Sequence, residues 1–261
     1  IRVATRIADI PAADWNTCAA GADGDVDPFL DHAFFLSLEE SGSAVRETGW
    51  LGHHLLLERA DRLEAILPCY LKSHSRGEYV FDAGWAEAYE RAGGRYYPKL
   101  QASVPFTPAT SRRLLVRAGP DADVARTALV QGAAKVALQS GVSSLHVTFC
   151  PQDEWELMGA AGYLQRTDTQ FHFENEGYGG FDEFLAALSS RKRKVIRRER
   201  REALEGRGIT IRWLTGADLT EEVWDRFFEF YMDTGSRKWG RPYLTRRFYS
   251  LIGARMADRI L

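Results

Sequence analysis

Positive charge is concentrated in one stretch of the chain, between residues 181 and 208. Eight of the eleven residues from Arg191 to Arg201 are basic. Such a run is ordinarily the solvated face of a helix, but three of its arginines have no acidic residue three or four positions away with which to pair. These are Arg193, Arg197 and Arg200. Guanidinium groups suit phosphates and carboxylates, so the sequence predicts that these arginines bind an anion.

A second group that could recognise a phosphate-bearing ligand lies in the sequence SRKWGRPYLTRR. It combines cations with aromatic rings, which bind phosphates and stack on flat ligands. Its members are Lys238, Trp239, Arg241 and Tyr243. The same pattern is typical of a turn between two helices in which the rings only fill space, so both interpretations remain open here.

The chain lacks the signatures of covalent catalysis. It contains no Gly-x-Ser-x-Gly elbow, no P-loop and no cysteine with a recognisable histidine partner. A transfer reaction would then depend on positioning and on a base that deprotonates an attacking amine. Asp82, Glu87 and Glu90 are candidates for that base, but their spacing does not select one. The sequence therefore assigns no catalytic residue.

Composition places these residues in a globular protein on a nearly neutral background. The chain has 261 residues, 45% hydrophobic and 12% aromatic, with a formal net charge of -2, which argues against a uniformly basic nucleic-acid binder. Three widely spaced cysteines, Cys18, Cys69 and Cys150, favour reduced thiols over a disulfide framework. The adjacent His53 and His54 would point to opposite faces of a strand. We therefore expect no metal site.

Local charge on a neutral background implies a local anionic partner, either a small molecule or a nucleotide-linked substrate. No apolar run approaches 18 residues, and no charged-then-apolar region opens the chain. We therefore expect no membrane span and no export, and a cytoplasmic location.

Periodicity and turn signals predict alternating strands and helices. Residues 51–58 and 63–71 are strand-like runs joined by a polar turn, which predicts a hairpin, and residues 122–139 have the pattern of a long helix. Other strands are expected at 1–7, 96–106, 144–149, 165–173 and 209–214. Other helices are expected at 11–20, 29–40, 85–91, 153–160, 181–188, 191–205, 219–231 and 245–257. This order predicts an α/β (α+β) fold with a mixed central sheet flanked by helices.

A cluster of glycines, Gly177, Gly179 and Gly180, predicts a flexible joint after the first set of elements. The expected organisation is a first domain at 1–176, the joint and a basic helical arm at 177–208, and a new start at 209–261.

The segment RKRKVIRRERREALEGRGITIR resembles the signature of Fem-type peptidyl ligases, a basic helix of the form R-x-N-I-R-(K/R) followed by a glycine turn and a β-strand. The matching positions are Arg193, Ile196, Arg197, Arg198, Gly208 and residues 209–213. Val195 stands where that pattern usually has Asn, so a hydrogen bond from that side chain is absent here. Further stretches, such as PFLDHAFFLSLEESGS and YYPKLQASVPFTP, make the whole chain similar to the FemAB-like peptidoglycan biosynthesis/recognition group of acyltransferases in the GNAT superfamily.

The resemblance implies a GNAT-like first domain followed by the start of a second, truncated GNAT-like domain at 209–261. It implies that the protein is an N-acyltransferase or aminoacyltransferase acting on an amine, with a peptidoglycan precursor as a candidate acceptor and aminoacyl-tRNA as donor. Lys99 matches a position where the family's first domains carry a basic residue that contacts a nucleotide-linked acceptor. The resemblance therefore implies that Lys99 contacts an anion.

Acyl-CoA is the other candidate donor. GNAT enzymes ordinarily hold its pyrophosphate on a glycine-rich loop before the third helix. Here the corresponding stretch, SRRLLVRAGPDADVA, offers only Gly119, and Asp121 and Asp123 would repel a phosphate. The donor stays open between aminoacyl-tRNA and acyl-CoA, and no cofactor is expected to be bound permanently.

Three functions remain open at this point. The first is the Fem-like transferase, the second is a CoA-dependent GNAT N-acetyltransferase, and the third is a non-catalytic module that binds RNA, tRNA included, or another anionic polymer. The helix at 219–231 also carries a face of large apolar side chains, including Phe227 and Tyr231. We expect this face to be covered by the first domain or by a second copy in a homodimer.

Overall fold

The computed structural model describes residues 1–21, 24–205, 207–237 and 241–261. The chain divides into two compact units, one made of Ile1–Gln165 and Thr215–Leu261 and the other of Arg166–Leu214. The strands are β1 (Arg2–Ala4), β2 (Trp50–Gly52), β3 (His54–Arg59), β4 (Arg62–Leu67), β5 (Cys69–Lys72), β6 (Lys99–Ala102), β7 (Leu115–Val116) and β8 (Leu145–Val147). The helices are α1 (Ala12–Ala19), α2 (His32–Glu40), α3 (Ala83–Arg91), α4 (Ala122–Gln139), α5 (Gln152–Ala160), α6 (Phe181–Ala187), α7 (Ser190–Leu204), α8 (Glu221–Arg237) and α9 (Arg246–Met256). The mixed α/β class predicted from the sequence is confirmed.

In the described ranges the strands form two four-stranded sheets. The first has the order β1-β3-β4-β7, and all its neighbours are antiparallel. The second has the order β2-β5-β6-β8, in which only β6 and β8 are parallel. One hairpin serves both sheets, because β2 continues into β3 across His53 and β4 continues into β5 across Pro68. Proline has no N–H to donate to a ladder, so the strand can change sheets there.

The hairpin predicted between residues 51 and 71 is confirmed. Its two loop residues, Ala60 and Asp61, have φ angles of 49° and 59°. Positive φ at both positions is the type I′ turn, whose twist matches that of the flanking strands. Neither residue is glycine, so this turn stores some backbone strain.

Two apolar cores stabilise the first unit. Large buried side chains of the first core are Trp15, Phe35, Leu38, Leu56, Ile66 and Leu115. Those of the second core are Leu55, Leu67, Leu100, Leu129 and Val130. Each such side chain contributes about 1.5–3 kcal/mol on burial. The second core fills one face of the second sheet, and the opposite face carries polar side chains.

The C-terminal helices α8 and α9 belong to the same unit as residues 1–165. The rings of Phe248 and Phe34 lie with centroids 5.8 Å apart, and Thr245 Oγ1 donates a hydrogen bond to the Ser41 carbonyl at 3.0 Å. This arrangement differs from the expected division into 1–176, 177–208 and 209–261, because α9 buries aromatic side chains against α2. A second GNAT-like domain stays a prediction.

The apolar face of α8 is covered in part within this unit. Tyr231 contacts Tyr249 with ring centroids 5.9 Å apart, whereas Phe227 packs on the same tyrosine and is still 49% exposed. The homodimer stays a prediction.

The strands predicted at residues 165–173 and 209–214 are wrong. Both segments are described, and neither has strand structure. Phe171 is 96% exposed and Trp213 is 77% exposed. Apolar residues form a stable strand only where neighbours pair with the backbone and cover the side chains, and neither condition is met for these segments in the described structure.

Candidate functional site

The second sheet turns a polar face away from its apolar core. Along β6, Leu100 joins the core, while Lys99 and Gln101 lie on the opposite face because strand side chains alternate. The register with β5 extends this face, since Lys72 pairs with Lys99 and Tyr70 pairs with Gln101. Both lysines and Gln101 are 0% exposed. Burying polar groups is costly without specific partners, so this face is a candidate site.

An ion network covers the two lysines. Lys99 Nζ lies 2.7 Å from Glu78 Oε2 and 2.5 Å from Asp82 Oδ2. Lys72 Nζ lies 3.8 Å from Glu78 Oε1 and 3.4 Å from the centroid of the Trp50 ring. Glu78 and Asp82 are themselves 3% and 2% exposed. Two ammonium groups and two carboxylates therefore compensate one another out of contact with water.

Burial and pairing shift the pKa values of this network in different directions. Burial lowers the pKa of Lys72 to about 7, although Glu78 opposes the shift. Burial also raises the pKa of Glu78 above its ordinary value, against the attraction of Lys99. Burial acts to raise the pKa of Asp82 too, but hydrogen bonds led by that from Lys99 outweigh it and leave this pKa lowered. Asp82 is thus the carboxylate held in its ionised form.

Tyr96 extends the network towards the edge of the sheet. Its hydroxyl donates to Asp82 Oδ2 at 2.8 Å and lies 3.4 Å from Nε2 of His146. His146 Nε2 is also 2.9 Å from Ser144 Oγ, and the histidine is only partly buried. A chain of polar groups therefore leads from the buried carboxylate to a side chain that solvent reaches.

Several buried side-chain oxygen atoms of this region have no hydrogen-bond partner among the described residues. They are Glu78 Oε1, Asp82 Oδ1, Gln101 Oε1 and Ser103 Oγ. Buried polar atoms are nearly always hydrogen-bonded, so such a group of exceptions calls for an explanation. Carboxylate and amide oxygens accept hydrogen bonds only, so the complementary ligand is an N–H or O–H donor.

An aromatic stack borders the network on the side of Lys72. The ring of Trp50 lies 5.2 Å from that of Phe106, and Phe106 stacks on Tyr243 with centroids 5.0 Å apart and planes 8° apart. Tyr79 also contacts Tyr243, at 6.4 Å. Tyr79 and Phe106 have φ angles of 55° and 60°, a strained conformation for aromatic residues that is common at functional sites.

The second unit carries the basic helix, α7. A cavity of about 500 Å³ opens between α6 and α7 and is lined by Arg197, Arg200 and Arg201. Arg200 Cζ lies 4.3 Å from the centroid of the Phe181 ring, and Arg193 Nη1 donates to the Ala186 carbonyl at 3.3 Å. The acidic side chains of Asp182, Glu183 and Glu205 also line the cavity. None of the three cavity arginines forms an ion pair within the described ranges, so their charges are available to an anion.

The family model for FemAB-like proteins, described as peptidoglycan biosynthesis/recognition, matches residues 6–261. The chain belongs to the FemAB-like family. Neither a curated protein nor a solved structure matches it. Membership places the chain among proteins of peptidoglycan biosynthesis or recognition and supports a transferase in general.

Most of the predicted binding residues of this FemAB-like chain fall into two groups. Lys99 lies in the buried network, where two carboxylates occupy its ammonium group, and Tyr243 adjoins the same network through the aromatic stack. Arg197 and Arg200 share the cavity of the second unit, while Arg193 caps the end of α6. Anion binding by these residues stays a prediction.

Only part of the predicted cluster at residues 238–243 lies in the described ranges. Arg241 is exposed, and Tyr243 packs as described above. Lys238 and Trp239 lie outside the described residues.

The three candidate bases differ in burial. Asp82 is buried in the network, whereas Glu87 and Glu90 are exposed on α3. Sequence reasoning missed Lys72, Glu78 and the Tyr96–His146 pair. The alternation in CYLK and KLQAS, with polar side chains on one strand face and apolar ones on the other, was the available signal.

Two further properties of the described residues concern metal binding and the spanning of a membrane. They contain no group of three or more His, Cys, Asp or Glu side chains that could hold a metal ion. No helix in these ranges is both long and apolar enough to cross a membrane.

Proposed function

We propose that this FemAB-like protein transfers an acyl or aminoacyl group to a primary amine of a peptidoglycan precursor. The observation that carries this assignment is the set of unpartnered acceptor atoms on the buried polar face, led by Glu78 Oε1 and Asp82 Oδ1. An ammonium group brings three N–H donors and a positive charge. Its N–H groups would satisfy the hydrogen-bonding capacity of these oxygens.

In the proposed reaction the amine nitrogen attacks the carbonyl carbon of an activated acyl donor. The N–C bond forms, and the C–O bond of an aminoacyl ester or the C–S bond of a thioester breaks. The ammonium group loses one proton and becomes the neutral amine that attacks. The nitrogen loses a second proton as the amide forms, and this proton leaves on the departing oxygen or sulfur. Asp82 would accept the first at Oδ1, since Lys99 and Tyr96 hold its Oδ2 and leave Oδ1 without a hydrogen-bond partner. Tyr96 and His146 then offer a path to solvent.

The proposed donor is an aminoacyl-tRNA or an acyl-CoA. Both carry phosphates, and both present a carbonyl that is already activated, so no covalent enzyme intermediate is needed. Within the second unit, Arg197 and Arg200 would supply charge-assisted hydrogen bonds to an anion such as a phosphate.

A transfer assay with the purified protein tests the proposal. Aminoacyl-tRNA and acyl-CoA are supplied in turn with an amine-bearing peptidoglycan precursor, and the acylated product is measured by mass spectrometry. We expect turnover with one donor and a loss of about tenfold or more in Asp82→Asn. Glu90→Gln, an exposed carboxylate on α3, is the matched control. Absence of product with both donors, or equal activity of the two variants, would contradict the proposal.

Binding of RNA without catalysis is a second candidate, favoured by the cavity arginines on α7. If about six cations of this helix contact phosphates, the log–log dependence of affinity on salt has a slope of about -4 for single strands. Tight, salt-dependent RNA binding with no turnover of any donor would favour this candidate. A flat response to salt would eliminate it.

A further inference from the structure

A small cavity opens in the first unit at the crossover between the two sheets, where β2 passes into β3. Its volume is about 180 Å³. Gly52 leaves room for it, because a Cβ at that position would lie 2.5 Å from the carbonyl oxygen of Thr5 and 3.2 Å from His54 Nε2. The lining residues include none of the side chains assigned to the proposed transfer, so the cavity needs an explanation of its own.

Two buried side chains present hydrogen-bond donors to this cavity. His54 is 1% exposed and Tyr70 is 3% exposed, and both line the cavity. The N–H of Cys69 donates to His54 Nδ1 at 3.3 Å, so the proton of the neutral ring is on Nε2. Within the described ranges, neither His54 Nε2 nor the Tyr70 hydroxyl has a hydrogen-bond partner. Buried polar groups ordinarily have partners, so these two donors indicate a ligand with acceptor atoms.

Burial keeps both rings uncharged at physiological pH. It lowers the pKa of the His54 imidazole to about 3. It also raises the pKa of the Tyr70 hydroxyl well above its ordinary value, and the negative charge of Glu39 acts in the same direction. The imidazole therefore keeps one N–H and the phenol keeps its O–H.

Aromatic packing holds the two donor rings in place. The rings of His54 and Tyr70 lie edge to face with centroids 5.1 Å apart. Trp15 contacts His54 at 6.0 Å, and Trp50 contacts Tyr70 at 5.3 Å. Because the donors are fixed before a ligand arrives, binding does not have to order them.

The charged residues that line the cavity leave one positive charge uncompensated. Arg6 pairs with Glu39, with Nε 3.6 Å from Oε1, and Glu39 Oε2 accepts the Ile7 N–H at 2.5 Å. Arg46 lines the cavity as well and is exposed. It forms no ion pair in the part of the chain that the structure describes. Two arginines and one glutamate therefore favour a ligand with a single negative charge.

The rest of the lining and the volume limit the size of that ligand. Much of the remaining lining is aliphatic, namely Ile7, Ala44, Val45 and Leu51. At about 30 Å³ per water molecule, the cavity has the volume of about six waters. A ligand of about six non-hydrogen atoms with a short aliphatic part would fill it.

We infer that this cavity is a binding site for a short-chain aliphatic monocarboxylate. The carboxylate oxygens accept hydrogen bonds from His54 and Tyr70, Arg46 compensates the negative charge, and the carbon chain packs on the aliphatic lining. Inorganic phosphate shares the charge, but it has no apolar part to cover that lining. A cation would be repelled by Arg46. This site goes beyond the proposed transfer, because it lies apart from the buried carboxylates and from the cavity beside α7.

Calorimetry and ligand-detected NMR on the purified full chain test the site, with sodium butyrate as the probe. Butyramide and butylammonium have the same number of carbons without the negative charge, and they serve as matched ligands. We expect saturable binding of butyrate at millimolar concentration and binding of the other two that is weaker by about tenfold or more. Arg46→Gln should weaken butyrate binding about tenfold, and Tyr70→Phe should weaken it about fivefold.

Two control variants separate the site from general effects of charge and of phenol groups. Arg226→Gln changes an exposed arginine on α8, and Tyr178→Phe changes a tyrosine of the second unit; both should bind butyrate like the wild type. Melting temperatures check that Arg46→Gln and Tyr70→Phe are folded, which we expect because Arg46 is exposed and the Tyr70 hydroxyl has no bond to lose. The titration contains no acyl donor or acceptor, so its result is independent of the proposed transfer.

Several outcomes would overturn the inference. One is the absence of saturable binding below about 10 mM, which is a modest affinity for a ligand of this size. Equal affinity for butyramide would remove the role of the charge, and wild-type affinity in both Arg46→Gln and Tyr70→Phe would place butyrate elsewhere. Inorganic phosphate that binds as tightly as butyrate would leave the aliphatic lining without a role.

Discussion

Burial lowers the pKa of Lys72 to about 7, from an ordinary value of 10.5. Its ammonium rests on Trp50 and is too far from Glu78 for a direct hydrogen bond. At the scale of residues, two lysines paired across a ladder differ in their partners, because Lys99 makes two short bonds to carboxylates. For Lys72 the carboxylate is distant, so desolvation dominates its pKa.

The lowered pKa of Lys72 predicts a pH dependence of stability. Between pH 7 and 10.5 the unfolded chain keeps a proton on this lysine that the folded chain releases, so the free energy of unfolding rises with pH, by up to about 1.4 kcal/mol per unit. Lys72→Met removes this contribution. The free energy of unfolding of the wild type, minus that of the variant, should therefore increase steadily as the pH rises from 7 to 10. Urea unfolding at several pH values measures the difference. Lys192→Met, on exposed α7, should follow the wild type, and an unchanged slope in Lys72→Met would contradict the assignment.

At the scale of elements, short segments set geometry that the rest of the fold inherits. Pro68 ends one ladder and starts another, so a single hairpin contributes to both sheets. The type I′ turn at residues 60–61 sets the register beside the turn, and a register shift between Leu57 and Glu58 changes it for the rest of the hairpin. The basic helix α7 shows the opposite case, because most of its side chains are exposed and its charge, rather than its packing, is its main property.

The strained turn predicts a stabilising substitution. Asp61 has a φ of 59°, which glycine adopts without the cost of about 1 kcal/mol or more that other residues incur. Asp61→Gly should therefore raise the free energy of unfolding by about 1 kcal/mol, measured by urea unfolding. Ala161→Gly, at an exposed position with a φ of -83°, should lower it by several tenths. Destabilisation by both variants would show that Asp61 is held by something other than the turn.

The cavity beside α7 predicts separable effects of two arginines on one helix. Arg197→Ala removes a charge-assisted hydrogen bond and should weaken binding of inorganic phosphate or a nucleotide about tenfold. The melting temperature should hardly change because the side chain is exposed. Arg198, which lies 3.7 Å from Glu202, provides the control as Arg198→Ala. Parallel losses of stability and affinity in Arg197→Ala would mark it as a structural residue instead.

At the scale of the whole molecule, the first unit joins segments from distant parts of the chain. Ser41 and Thr245 are 204 positions apart and share a hydrogen bond, and Phe248 is 3% exposed in the same core as Phe35. Residues 215–261 are thus structural components of the unit that carries the polar face. The aromatic stack, which ends on Tyr243, depends on this association.

This organisation predicts the result of a single core substitution. Phe248→Ala should destabilise the whole first unit by about 3–5 kcal/mol, because the cavity it leaves lies in the shared core. Fluorescence and circular dichroism should report one cooperative transition shifted to lower temperature. Phe171→Ala, a 96% exposed phenylalanine, should stay within about 0.5 kcal/mol. An early, separate transition for residues 215–261 would instead support an independent C-terminal domain.

Features that depend on near neighbours along the chain could be predicted from the sequence. The helix at residues 122–139 has the predicted bounds, because a helical face repeats every three or four residues whatever its partner. The hairpin could be predicted because its turn is formed by residues that are adjacent in the sequence. The basic helix could be predicted because its charged residues follow one another along the chain. The α/β class follows from the order of such elements.

Only the tertiary structure decided which residues share a site. From the sequence alone, Lys99 could be a lysine at the end of a strand. Its burial beside Glu78 and Asp82 depends on how the segment at 78–96 folds back over β6. The segments 165–173 and 209–214, which were wrongly predicted as strands, have the apolar residues typical of strands. They have no strand structure in the described ranges because no neighbouring strand pairs with them. Pairing, burial and the protonation state of a buried group all depend on atoms brought close by the fold. The alternation in CYLK and KLQAS marks a polar strand face, but the residues that fold over that face leave no periodic trace in a single sequence.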